Sequence, residues 1–168
     1  SVGDTSYQFV TIQSVTASLT GSSITFGNVD IYEGSFVSSR YTADTQNVEQ
    51  RFIINDDRAD TTTISITVQN SASDTTSNTY TLATDISGLT STSNVYFIQE
   101  VENGKYEVYF GDGVLGSAIE DGNIIIINYV VTNKAASNGA DTFTSSSAID
   151  TVNSVNVVTV SNAAGGSE

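Results

Sequence analysis

Thr61-Thr62-Thr63-Ile64-Ser65-Ile66-Thr67-Val68-Gln69 is the clearest alternating run in this chain. Thr62, Ile64, Ile66 and Val68 fall on one face of an extended backbone, and Thr61, Thr63, Ser65, Thr67 and Gln69 on the other. Side chains alternate across a strand, so this run reads as a strand with one dry and one wet side. The same period recurs outward from it. Residues 49–55 point Phe52 and Ile54 inward and Glu49 and Arg51 outward. Residues 22–33 alternate more weakly, and a parity change at Gly27-Asn28 between Phe26 and Val29 marks a bulge or tight turn.

Downstream, residues 95–101 and 105–110 flank Glu102-Asn103-Gly104. An Asn-Gly pair between alternating runs is the strongest short-range hairpin signal, and Tyr106, Val108 and Phe110 share one face of the second arm. Residues 123–132 are apolar on both faces. Ile125, Ile127, Tyr129 and Val131 lie on one, and Ile124, Ile126 and Val130, interrupted by Asn128, on the other. Such a strand is covered on both sides. Either it is the central strand of a sandwich beneath a helix or loop, or its outer face meets a partner subunit.

Residues 70–79 read as a polar loop, 85–89 as a single helical turn, and 135–139 and 144–147 as loops. Residues 152–160 read as a last strand and 163–168 as a frayed tail. The first twenty or so residues are a strand of this domain or the end of a preceding one. No helical stripe longer than a turn or two interrupts the pattern. The predicted fold is therefore mainly β: an antiparallel β-sandwich-like domain with long polar loops and at most short helical turns.

The composition of the 168 residues supports this and narrows the function. Hydrophobic residues are 38% and charged residues 14%, with Ser and Thr filling much of the remainder. Eight Tyr, seven Phe and many Val and Ile can still build a core. The chain has no Cys, Met, Trp, Pro or His. That removes a Ser-His-Asp triad, a Cys nucleophile, a Cys/His zinc site and any disulfide. Its net charge of −14 opposes binding to a phosphate backbone, so no nucleic-acid partner is expected. The longest apolar run, 124–127, is far short of the roughly 20 residues that cross a bilayer, so no membrane insertion is expected. The chain does not begin with Met, which suggests a processed chain or a fragment.

Few motifs carry chemistry. Asp56, Asp57 and Asp60 crowd one loop and are weak candidates for calcium, but the spacing does not fit an EF-hand, Arg58 sits among them, and a plain Asx-rich turn is the preferred reading. Gly111-Asp112-Gly113-Val114-Leu115-Gly116 lacks the Lys-Ser/Thr ending of a phosphate loop and a following helix. Gly111, Asp112, Gly113 and Gly116, with Asn103, Gly104, Asp121, Gly122 and Asn123, read as structural turn residues. Glu100, Glu102, Glu107 and Glu120 could serve a glycoside hydrolase, but strand-borne Glu near Lys105 reads as a solvated face, and no Trp offers a sugar platform. No catalytic residue, cofactor or definite metal site emerges. Candidate interface residues are Ile124, Ile126 and Val130 on the outer face of 123–132, with Tyr96 and Tyr109 on the hairpin.

The run from Val95-Tyr96-Phe97-Ile98-Gln99-Glu100 through Asn103-Gly104-Lys105-Tyr106-Glu107-Val108-Tyr109-Phe110-Gly111-Asp112-Gly113-Val114-Leu115-Gly116 to Glu120-Asp121-Gly122-Asn123-Ile124-Ile125-Ile126-Ile127-Asn128-Tyr129-Val130-Val131-Thr132 closes with Ala136-Ser137-Asn138-Gly139-Ala140-Asp141-Thr142-Phe143. With Tyr32-Glu33-Gly34, Arg51-Phe52-Ile53-Ile54-Asn55 and Asp60-Thr61-Thr62-Thr63, it resembles the baseplate wedge proteins of contractile-tailed, T4-like bacteriophages, and more distantly the baseplate J-like family. The resemblance covers roughly residues 30–145. Ser117 stands where the family often carries Lys, and Asn133-Lys134 where a glycine is common; both positions are on loops.

The resemblance implies a non-enzymatic structural subunit of the virion, in the tail baseplate, assembled in the host cytoplasm. It implies a homo-oligomer, with a dimer expected, that joins other baseplate wedge proteins in a ring and rearranges with contraction. Full-length members are longer, so this chain would be one segment. The organisation expected is residues 1–29 as N-terminal strands or the end of a preceding segment, 30–145 as the wedge β domain, and 146–168 as a C-terminal strand and tail. The alternative, from the acidity and the Asp56, Asp57 and Asp60 cluster, is a calcium-dependent bacterial immunoglobulin-like adhesion module.

Overall fold

A computed structural model describes residues 1–47, 49–149, 152 and 154–166. Eleven strands follow in chain order: β1 (Phe9–Val10), β2 (Leu19–Thr20), β3 (Ser23–Ile24), β4 (Tyr32–Glu33), β5 (Ser35–Thr42), β6 (Phe52–Ile54), β7 (Ala59–Gln69), β8 (Ser77–Leu82), β9 (Val95–Glu100), β10 (Tyr106–Phe110) and β11 (Ile124–Val131). Two short 3-10 turns, Glu102–Gly104 and Lys134–Ser137, are the helical content among the described residues. No helix among them is long and apolar enough to cross a membrane. The mainly β expectation, with long polar loops and short helical turns, holds. The chain divides into two compact units, Ser1–Ser35 with Thr132–Glu168, and Phe36–Val131.

The Phe36–Val131 unit is one seven-stranded sheet in the order β5-β11-β7-β8-β9-β10-β6. Pairing is antiparallel for β11–β7, β7–β8, β9–β10 and β10–β6. The β8–β9 pair is parallel, through Thr81↔Val95 and Leu82↔Tyr96, and it departs from the antiparallel expectation. A parallel pair needs a crossover of about a dozen residues or more, and residues 83–94 supply it without a helix.

This thin parallel ladder divides the sheet into two leaves, β5-β11-β7-β8 and β9-β10-β6. The leaves share one interior made of Phe52, Ile54, Ile66, Val68, Tyr80, Tyr96, Val108, Ile125, Ile127 and Tyr129. Edge-to-face rings bridge them: Tyr41 with Phe52 at 5.5 Å and Tyr80 with Phe110 at 5.4 Å. The Tyr41 hydroxyl also donates to the Ile53 carbonyl at 2.7 Å, joining the edge strands β5 and β6. A sandwich-like core thus arises from a single folded sheet. Ile54, Ile66, Ile125 and Ile127 are essentially fully buried. Each such side chain contributes about 1.5–3 kcal/mol of hydrophobic stabilisation.

Strand β7 is less regular than its sequence pattern. Its register against β11 jumps from Ser65↔Asn128 to Asp60↔Val130, so residues 61–64 stand against Tyr129 alone. In this bulge the Asp60 carboxylate accepts from the Thr62 N–H and hydroxyl at 2.9 and 2.7 Å. The Thr63 hydroxyl donates to the Asp60 carbonyl at 2.7 Å and accepts from the Val130 N–H at 2.9 Å. Thr62, expected inside, is therefore exposed, and Thr63, expected outside, is buried. Extra residues in one strand break its face alternation locally.

Residues 77–79, read as part of a polar loop, begin β8, and residues 85–89 form a turn closed by Leu89 N–H to the Ile86 carbonyl at 3.3 Å. In the other unit β1 pairs with β4, and β2 with β3 around Gly21. Residues 25–31, expected to continue an alternating strand, form none. The Glu33 carboxylate accepts from the Asn133 backbone and side-chain N–H groups at 2.8 and 2.6 Å, and Phe9 meets Phe143 edge-to-face at 4.9 Å. The last strand expected over residues 152–160 does not form. Val152 makes an isolated bridge with Ile149, residues 154–160 form no ladder, and Asn153 lies outside the described residues. Ala163 is not frayed: its N–H and carbonyl pair with Ala140 and Gly139 at 2.8 and 2.7 Å. Ser167 and Glu168 lie outside the described residues.

Candidate functional site

The β9–β10 hairpin forms where the Asn-Gly pair predicted it. Asn103 and Gly104 take φ of 63° and 69°, and Val101 N–H reaches the Lys105 carbonyl at 2.8 Å. Paired positive φ is the backbone of the mirror-image turns that suit strand twist. On the hairpin's outer face Phe97 and Tyr109 stack with centroids 5.2 Å apart. Beside them the Glu107 carboxylate receives both Arg51 Nε and Nη2, at 2.7 and 2.6 Å, and Gln99 Nε2 at 2.8 Å. The Arg51 hydrogen bond chiefly, helped by Gln99, holds the Glu107 carboxyl down at about 2. Glu107 is thus a structural acceptor that ties β6, β9 and β10 together.

The glycines at 111–116 serve close backbone approach. A Cβ on Gly111 would run into the Gly116 backbone, and one on Gly116, at φ 89°, would lie 2.8 Å from Val95 Cγ2. Asp112 Oδ1 accepts from the Val114 and Leu115 N–H groups, each at 2.9 Å, and Gly113 N–H meets the Gly116 carbonyl at 3.0 Å. These backbone bonds draw the Asp112 carboxyl below its ordinary range. The Gly113, Val114 and Leu115 N–H groups, which could otherwise face a phosphate, are spent within the loop. Asp121, Gly122 and Asn123 likewise stitch the chain. Gly122 N–H meets the Ala43 carbonyl at 2.9 Å, Asp121 Oδ1 accepts from Thr45 N–H at 3.1 Å, and Asn123 Nδ2 reaches the Asn70 carbonyl at 2.9 Å.

The acidic loop does not gather into a cation site. Asp56 is engaged by Arg58, and Asp60 by Thr62. Among the described residues no group of three or more acidic, His or Cys side chains is placed to hold a metal ion. Asp56, Asp57 and Asp60, the motive for the calcium-dependent adhesin alternative, are accordingly not brought together.

The expected interface residues divide. Tyr96 faces the shared interior, and Ile124 and Val130 are also buried, Val130 at the β7 bulge with its N–H on Thr63. All three are buried within the chain itself. Ile126 is half-buried, and Tyr109 is exposed. Two shallow hollows open on this unit. One, of about 260 Å³, is lined by residues including Ala43, Gln50, Phe52 and Ile119. The other, of about 160 Å³, is lined by residues including Asn70, Asn78, Asn94 and Asn123.

Ile86, Val114 and Leu115 are exposed apolar side chains on loops, outside any alternating run that would mark them. The available signal was a Val-Leu pair set inside a glycine turn that needs no apolar residue for its own geometry. Residues 38–141 match the family model described as bacteriophage baseplate wedge protein gp6, third domain. No curated protein matches the chain.

Proposed function

We infer the function from one premise: the chain belongs to the family of the third domain of the bacteriophage baseplate wedge protein gp6. The matched residues span almost the whole folded sheet of the Phe36–Val131 unit, and this coincidence carries the reading. Membership supports a structural role in the tail baseplate, in contact with other baseplate proteins. We propose that the chain acts there as a non-enzymatic part of the wedge. It dimerises, joins neighbouring wedge proteins into a ring, and moves with that ring when the tail contracts. The fold suits the task. A sheet of largely non-local pairings opens slowly, and the strongly acidic surface keeps protomers apart before assembly.

The test is assembly. The intact protein, mixed with the other wedge proteins of its phage, should sediment as a complex and be found in purified virions by mass spectrometry. A protein that stays monomeric in the mixture and is missing from virions would rule the role out.

A further inference from the structure

The loop between β8 and β9, residues 83–94, and the loop after β10, residues 111–118, are joined into one ledge. Gly116 N–H donates to the Thr90 carbonyl at 3.1 Å, and Ser117 N–H to the Ser93 carbonyl at 2.8 Å. Each loop is also fixed from within. Asp85 Oδ1 accepts from the Ser87 N–H and hydroxyl, both at 2.8 Å, as Asp112 does from Val114 and Leu115. The glycines at 111 and 116 leave no room for side chains. A ledge so constrained presents apolar groups to solvent: Val114 is 70% exposed, Ile86 61% and Leu115 45%. Solvent gives no reason to fix apolar side chains outward, whereas a partner does, because a prearranged surface loses little entropy on docking. Asp85 and Asp112 flank these side chains, and neither loop contains a Lys or Arg.

We propose that this ledge is a docking plug. Ile86, Val114 and Leu115 seat in an apolar groove of another baseplate protein, and Lys or Arg side chains rimming that groove face Asp85 and Asp112. Charge complementarity selects this occupant over a second copy of the chain, whose matching ledge would set carboxylate against carboxylate. The proposal rests on the wedge role above and names the surface that serves it.

The experiment titrates the intact protein into the other wedge proteins of its phage, following complex formation by sedimentation. The paired change V114S and L115S, and separately I86S, should each weaken association about tenfold or more while leaving the melting temperature unchanged. Val114→Lys should weaken it more than Val114→Glu, because only the lysine meets a like-charged rim. If wild type assembles and the serine variants assemble equally well, the plug is refuted and the wedge role stands. If Val114→Glu is as harmful as Val114→Lys, or more so, the basic rim is refuted. If wild type itself joins no complex, the wedge role fails and the plug with it.

Discussion

Thr63 shows how much one hydroxyl can hold in a bulged sheet. It closes the gap in the β7–β11 ladder by bonding the Asp60 carbonyl and the Val130 N–H at once, in a buried setting. Thr63→Val keeps the shape and removes both bonds, leaving a buried donor unpaired. The expected loss is about 1–3 kcal/mol of unfolding free energy, read from the urea midpoint at unchanged slope. Glu107 acts through charge. Its carboxyl titrates at about 2 in the folded chain, against an ordinary value of 4.5. A depressed folded value means stability that is present above about 4.5 and lost as pH falls toward about 2. Arg51 is half exposed, so solvent screens the pair and the gain is small. Glu107→Gln should be less stable than wild type at neutral pH. The difference should shrink across that acid window, as followed by thermal melts from pH 7 to pH 2. A difference that stays constant would mean that the carboxyl contributes no titrating stability.

Among the elements, legibility followed the number of buried side chains. In β7, β9, β10 and β11 alternation or a two-sided apolar run marked the strand, and Asn103-Gly104 marked the hairpin turn. β8, Ser-Asn-Thr-Tyr-Thr-Leu, buries only Tyr80 and so looks like the loop before it. β5, Ser-Phe-Val-Ser-Ser-Arg-Tyr-Thr, has no fully buried residue, as befits an edge, and its pattern carried no signal. The β7 bulge was hidden because it depends on which carbonyl Thr63 finds. The candidate surface was half legible. The glycine turns could be read from residue type, but their crowding cannot be seen until β9 lies against them. At Gly116 the positive φ and the 2.8 Å approach to Val95 act together. Gly116→Ala should destabilise by about 1–3 kcal/mol, measured by chemical denaturation, while the same change at exposed Gly88, where no atom lies within 4 Å, should cost far less.

Across the Phe36–Val131 unit, local pattern could not reveal that one sheet folds over to give both leaves. That follows from which distant strands meet: β5 with β11, β8 with β9 in parallel, and β5 with β6 through side chains. Burial chiefly raises the Tyr41 phenol above its ordinary range, so its hydroxyl remains a donor to Ile53 in ordinary buffers. Tyr41→Phe should lower stability by about 1 kcal/mol and speed amide exchange in β5 and β6 before β7 and β11. Equal acceleration everywhere would mean that the hydroxyl has no local role.

The two joins between the leaves therefore differ in kind from everything inside them. Within a leaf, most strands are laced by several backbone rungs; at one join there are two matched residue pairs, and at the other a phenol, crossed rings and the Gln50 amide, which donates to the Thr42 carbonyl and accepts from the Asp44 N–H. A pull that spreads the leaves meets few rungs at a time and spares the long β7–β11 lacing. Under load such a body would part first along its joins, and only by baring the interior that the leaves share.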